Sequence, residues 1–309
     1  MSSSGGRNDL DLPDLVNQLC AAGSSIRRGA ACERLLEPLP SRAVVGQLSE
    51  AFRAALFPEY FGSSEVRTET LVYHLGHIVD DLRRTLQLQI KRGLALKRQG
   101  ALDHASLDRE SAELTATLLN TLPEIQRQLG LDVQAAYEGD PASLSADEAI
   151  FCAPGVLAMI SHRVAHELER LKVPLLPRMM AEYSHSRTGI DIHPGATIGE
   201  RFFIDHGTGV VVGETCIIGN RVRIYQGVTL GAKSFPLDEK GNPVKGIPRH
   251  PIIEDDVIIY SGATILGRIT VGRGSMVGGN VWLTRSIAPD SRITLNPPRK
   301  ETFEGGGGI

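Results

Sequence analysis

The chain has 309 residues, 41% hydrophobic and 22% charged, enough apolar material for a sizeable core in one or two domains. Its 33 Lys plus Arg stand against 36 Asp plus Glu, and the net charge of −3 supplies no global field to attract nucleic acid or anionic lipid. The opening MSSSGGRNDL lacks the apolar core of a signal peptide, no run approaches the roughly 18 apolar residues of a membrane span, and Cys20, Cys32, Cys152 and Cys216 show no C-x-x-C spacing, so a cytoplasmic protein with reduced thiols is expected.

In chain order, residues 1–40 are heavily punctuated by Gly, Ser and Pro. Leu15 and Leu19 fit at most a short helix, and a poorly ordered N-terminal segment is expected. Residues 41–187 have the pattern of an α-helical domain. Leu71, Leu75, Ile78, Val79, Leu82, Leu86 and Ile90 recur every three or four positions and share one helix face. Residues 105–129 predict a second helix. Val156, Ile160, Val164, Leu168 and Leu171 predict a third, stopped at Val173-Pro174 because proline disfavours helix in the residue before it. His74 with His77 near Asp80 and Asp81, and His162 with His166, form two histidine pairs on these helices. Neither offers an obvious third ligand, so helix packing explains them and no metal is expected.

Beyond Thr188 the repeat length becomes six. Steps of six from Ile192 reach Ile198, Ile204, Val210, Cys216, Val222 and Val228, and after an interruption a second run joins Ile253, Ile259, Ile265, Val271, Val277 and Leu283. All thirteen are apolar. At this composition chance gives that about once in 10⁵, or about once in 10³ to 10⁴ with free choice of phase, so the period is real. Such hexads specify a parallel β-helix: each supplies a short strand and a turn, three close a triangular coil of about 18 residues, and coils stack about 4.8 Å apart. The expected fold class is α+β, with the β-helix over 188–290 in roughly five coils, an extruded loop over 232–250 and a flexible tail over 291–309. Cys216 falls at an inward position, which suits a small buried side chain better than a nucleophile.

The motifs Asp191-Ile192-His193-Pro194, Phe203-Ile204-Asp205-His206-Gly207-Thr208-Gly209, Val212-Gly213-Glu214-Thr215, Gln226-Gly227-Val228-Thr229-Leu230-Gly231 and Arg249-His250-Pro251 resemble the serine O-acetyltransferases. These are enzymes with a left-handed β-helix that begin cysteine synthesis. The match spans about residues 140–285, and the helical half matches only as a helical region. The loop Ala232–Pro248, with Lys233, Lys240 and Lys245, is longer than the glycine-rich crossing of many members. Its lysines suit either plain solvation or attraction of nucleotide phosphates.

Acetyl transfer from a thioester to the serine hydroxyl needs a base, and neutral histidine suits that near pH 7. His206 lies 15 residues after Asp191, three short of a coil of 18, which permits a His–Asp dyad on stacked turns. The resemblance implies the same roles: His206 the general base, Asp191 the carboxylate that orients it. A zwitterionic amino acid needs a cation for its carboxylate, which Arg249 and His250 fit. The resemblance places Asp205 and Asp140 on its amine and hydroxyl side. A turn or N-cap role for Asp140 is the alternative. It also places acetyl-CoA, a co-substrate with no resident cofactor beside it, along Gly231, Ala232, Ser261 and Gly279, with a backbone N–H near Gly231 for the thioester oxyanion.

The resemblance further implies a homotrimer with sites between subunits, with pairing of trimers into hexamers left open, and docking of the C-terminal Ile309 into O-acetylserine sulfhydrylase. A glycine-rich tail without a partner is the alternative for Ile309. Three other functions share parts of this pattern. An acyltransferase for a sugar or antibiotic hydroxyl would not need the Arg249 clamp. A γ-type carbonic anhydrase would need an H-x-x-x-x-H spacing absent from the coil region. A non-enzymatic scaffold for the sulfhydrylase would use only the helices and the tail.

Overall fold

The computed structural model describes residues 10–26, 38–62, 67–98 and 103–295. The N-terminal segment, expected to be poorly ordered, carries a helix, α1 (Leu12–Ile26), that is exposed as far as Ala22. Among the described residues seven further helices follow: α2 (Arg42–Leu56), α3 (Pro58–Phe61), α4 (Leu71–Lys97), α5 (His104–Gly139), α6 (Ala146–Cys152), α7 (Pro154–Arg170) and α8 (Leu176–Thr188). Their ends are chemically marked. Ser41, Asp103 and Ser145 accept N–H bonds from the first turns of α2, α5 and α6, Pro154 opens α7, and Gly189 closes α8 at φ +69°. The second predicted helix runs on to Gly139, because the stripe continues through buried Leu129, Val133 and Ala136. Leu82, Leu86 and Ile90 of α4, Leu107 and Leu118 of α5 and Val164 and Leu168 of α7 are fully buried in one core. No single described helix is long and apolar enough to cross a membrane.

From Asp191 the chain winds into a left-handed parallel β-helix with three faces. The first face stacks Asp191–Ile192, Val211–Val212, Thr229–Gly231, Thr264–Leu266 and Trp282–Leu283. Inward side chains such as Ile192, Val212, Leu230 and Ile265 form a buried ladder, while their strand neighbours point out.

The first coil is longer than the hexads imply. Asp191 pairs with Val211, a step of 20 residues, whereas Val211 pairs with Thr229 and Thr264 with Trp282, steps of 18. Asp205 N–H bonds to Ile224 O just as Tyr225 N–H bonds to Ile259 O, and Gly209, Gly227 and Gly262 stack as one corner column. The two extra residues therefore lie between Asp205 and Gly209, and this extension carries His206. A strict count of six passes from Ile204 to Val210, yet the partner of Ile192 is Val212. The count stays apolar across the extension because Val210 and Val212 both point inward.

Helices α5 and α7 close onto this first coil. A Cβ at Gly139 would lie 2.6 Å from the Phe203 ring and one at Gly155 2.4 Å from Ile204 O, so only glycine permits the approach. Asp132 of α5 bonds both Arg163 of α7 and Phe202 N–H, and Arg163 also donates to Gly199 O. This buried network fixes the helical domain against the coil.

Candidate active site

The extended corner puts Asp205, His206 and Thr208 on one side of a cavity of about 340 Å³, with Asp140, Glu148 and Cys152 of the helical domain opposite and Phe203 and Ile204 between them. His206 takes a left-handed backbone conformation, φ +55°, followed by Gly207 at +80°. The corner thus turns its imidazole outward, with the side chain 74% exposed and Nδ1 3.9 Å from Asp205 Oδ1. Asp140 caps the end of α5 and accepts Ala142 N–H through Oδ1 at 2.8 Å, which makes it a turn residue and a cavity residue at once.

At the other edge of the first face lies a second polar cluster. Asp191 and His193 line a cavity of about 350 Å³ with Arg42 of α2 and Arg178 and Glu182 of α8. Above them Arg249 donates to Glu214 at 2.5 Å. Burial would raise the Glu214 carboxyl, but the Arg249 hydrogen bond and charge outweigh it and hold it below the usual range. The Thr215 hydroxyl accepts N–H bonds from Arg249 and His250, seating the return of the extruded loop, and Arg268 braces the same corner through Thr215 O and His250 O. Thr215 N–H donates to His250 Nδ1 at 3.0 Å, so the neutral ring carries its proton on Nε2. Burial, aided by Arg249, lowers the pKa of His250 and favours that neutral form.

Not all the expected residues meet. Asp140, Asp205 and His206 share one cavity, and Arg249 and His250 share one corner. Among the described residues no ion pair joins His206 to Asp191: within one chain Asp191 lines the second cavity, because a coil of 20 residues shifts the register on which a stacked dyad depends. Arg249 is not an open clamp, since Glu214 already holds one edge of its guanidinium. Gly231, with Ala232 after it, ends its strand on the Arg249 edge of the first face. Ser261 and Gly279 stack on the His206 edge, where a Cβ at Gly279 would lie 3.2 Å from Ser261 O, so one chain does not gather the four into one groove. Cys216 is buried, and burial pushes its thiol up to about 12, which suits packing and not nucleophilic attack. Ile309 lies outside the described residues.

Over 276 residues, 88% of this chain and 86% of its relative, the sequence is 56% identical to the plasmid serine acetyltransferase of Synechococcus elongatus. The chain belongs to the serine acetyltransferase family. It is accordingly an acyltransferase enzyme. A serine acetyltransferase of Bacillus subtilis is 44% identical over 180 residues, covering 58% of this chain and 78% of that one. Residues 250–285 match the family model of the bacterial transferase hexapeptide (six repeats). Among solved structures, serine acetyltransferase 1 of Entamoeba histolytica in complex with L-cysteine superposes with a TM-score of 0.71 at 34% identity, covering 91% of this chain and 97% of that one. Soybean serine acetyltransferase complexed with serine gives 0.53 at 31%, covering 83% and 98%.

For a serine acetyltransferase, sequence reasoning missed Glu148, Cys152, His193, Glu214 and Thr215 as members of the two clusters. His193, Glu214 and Thr215 stand inside the quoted motifs, so the signal was present. Glu148 and Cys152 come from α6, which shows no motif. Among the described residues no group of three or more His, Cys, Asp and Glu is placed to hold a metal.

Proposed function

We propose that the enzyme transfers the acetyl group of acetyl-CoA to the hydroxyl of L-serine by direct general-base catalysis. The product, O-acetyl-L-serine, makes this the first step of cysteine biosynthesis. The observation that carries the reading is the division of complementary chemistry between two edges of one prism face: an exposed imidazole with Asp205 on one, facing Asp140 of the helical domain across a cavity, and Asp191, Arg249 and His250 on the other. In a homotrimer the first edge of one protomer meets the second edge of the next, completing the His206–Asp191 dyad across the interface.

Neutral His206 accepts the serine hydroxyl proton as the oxygen attacks the thioester carbonyl. Asp191 of the adjoining protomer orients the ring and stabilises the imidazolium. Asp205 and Asp140 bind the ammonium, and Arg249 with His250 Nε2–H binds the carboxylate. Collapse of the tetrahedral intermediate expels the CoA thiolate, which takes the proton from His206. Gly231, Ala232, Ser261 and Gly279, brought together by the same apposition of edges, line the acetyl-CoA groove. L-cysteine, isosteric with serine, competes for the amino-acid pocket. Ile309 docks into O-acetylserine sulfhydrylase, and deletion of Ile309 is expected to abolish that binding in a calorimetric titration; unchanged binding would rule the docking out.

The experiment is CoA release with L-serine. His206→Asn lowers kcat by about 10²- to 10⁴-fold; an unchanged kcat removes the proposed base.

A further inference from the structure

Two imidazoles on one corner of the prism are locked in the same tautomer, and only His250 contacts serine in the proposed reaction. Gly195 N–H donates to His193 Nδ1 at 2.9 Å, as Thr215 N–H donates to His250 Nδ1. A backbone N–H only donates, so Nδ1 of His193 is an acceptor and the neutral ring carries its proton on Nε2. That bond also fixes the ring, since turning it over would break the contact.

Asp191 and His193 flank Ile192, which is buried in the ladder, so both point outward from the same face. Two strand residues span about 6.6 Å, a gap that an imidazole and a carboxylate leaning together can close. They line the same cavity. The bond His193 makes is at Nδ1, and among the described residues of the single chain Nε2 and the Asp191 carboxylate bond neither each other nor another group. One is a fixed donor and the other an acceptor. We propose that His193 is a positioning residue for Asp191, donating Nε2–H to its carboxylate and so holding it toward the base it orients. The assignment rests on the reading of Asp191 as the partner of His206.

The surroundings keep His193 a donor. Burial, then the charge of Arg178, lower its pKa to about 4 against the opposing pull of Glu214 and Asp191, with Arg249 adding to the lowering. The ring stays neutral through the working range and offers Asp191 a hydrogen bond without a competing positive charge.

The test is steady-state kinetics on His193→Ala, His193→Gln, Asp191→Asn and the double variant, each checked for an unchanged trimer and Tm. Glutamine places an amide N–H near the Nε2 position, so His193→Gln separates loss of the donor from loss of packing. His193→Ala is expected to lower kcat about 10- to 100-fold, the scale of a misplaced catalytic group, with the KM for serine within about twofold. His193→Gln is expected to recover most of that loss, and His193→Ala to cost nothing further in the Asp191→Asn background. A raised KM with kcat intact would make His193 a substrate ligand and overturn the proposal, as would additive losses in the double variant. If Asp191→Asn is inactive while His193→Ala is fully active, this proposal fails alone. Wild-type activity in Asp191→Asn removes the dyad as well.

Discussion

The imidazole of His250 occupies the space a side chain at Gly213 would take: a Cβ there would lie 2.0 Å from Cδ2 and 2.2 Å from Nε2 of the ring. His250 enters the chain 35 residues after Thr215, across the extruded loop, and drops into this gap while Thr215 N–H fixes its Nδ1. Gly213 is thus glycine for want of room and not for a special backbone conformation, as it is absent from the positive-φ residues.

Gly213→Ala is therefore expected to push the ring off its Thr215 anchor. Tm should fall by only a few degrees, since the ring lies at the edge of the core, while the KM for serine rises by about tenfold, one lost hydrogen bond to a charged group. Wild-type KM values in this variant would show that the placement of His250 does not matter.

The depressed pKa of His193 sets a direction for acid sensitivity. The unfolded imidazole takes up a proton near pH 6.5, the folded one only near about 4. Between these values the unfolded state binds more protons, so stability falls as pH drops. His250, shifted the same way, adds to the trend. Calorimetry should show Tm decreasing from pH 7 to pH 5, and less steeply in His193→Gln. Ring NMR should find His193 unprotonated at pH 5.5; titration near pH 6.5 would contradict the assigned environment.

Asp132 and Arg163 are buried and joined by two bonds of 2.7 and 3.0 Å, with Gln128 and Gly199 O taking further guanidinium donors. Asp132→Ala leaves a buried cation uncompensated and should cost about 3–5 kcal/mol, read as a loss of roughly 5–15 °C in Tm. Replacing both residues by apolar ones, Asp132→Leu with Arg163→Met, should cost less than Asp132→Ala alone. A larger loss in the pair would show that the network does more than neutralise its own charges.

Cys152 is exposed in the cavity that holds Asp140, Asp205 and His206. In a Cys20→Ser, Cys32→Ser background, alkylation of Cys152 should abolish serine acetylation, and millimolar L-serine should slow the labelling. Full activity after complete labelling would place the acceptor pocket elsewhere.

The inward ladder was legible because buried coil positions admit only apolar side chains, and the pairing of Asp205 with His206 because adjacent residues stay together; Asp140, far upstream in the chain, was suggested only by the family resemblance. The extension around His206 was hidden by its own chemistry: Val210 and Val212 are both inward, so a count by six stays apolar whichever column it follows. The separation of Asp191 from His206 follows from that register and cannot be read from a spacing of 15. The Glu214–Arg249 pair bridges 35 residues and depends on where the loop returns, which no local pattern encodes.

Subunit complementation tests the shared site most directly. His206→Ala and Arg249→Ala protomers, each nearly inactive, are dissociated, mixed in equal amounts and reassembled. With sites built from opposite edges of adjoining protomers, about a quarter of the interfaces in random trimers carry both intact edges, and the mixture should regain about a quarter of wild-type activity. No activity above that of the separate variants would mean that each chain builds its site alone.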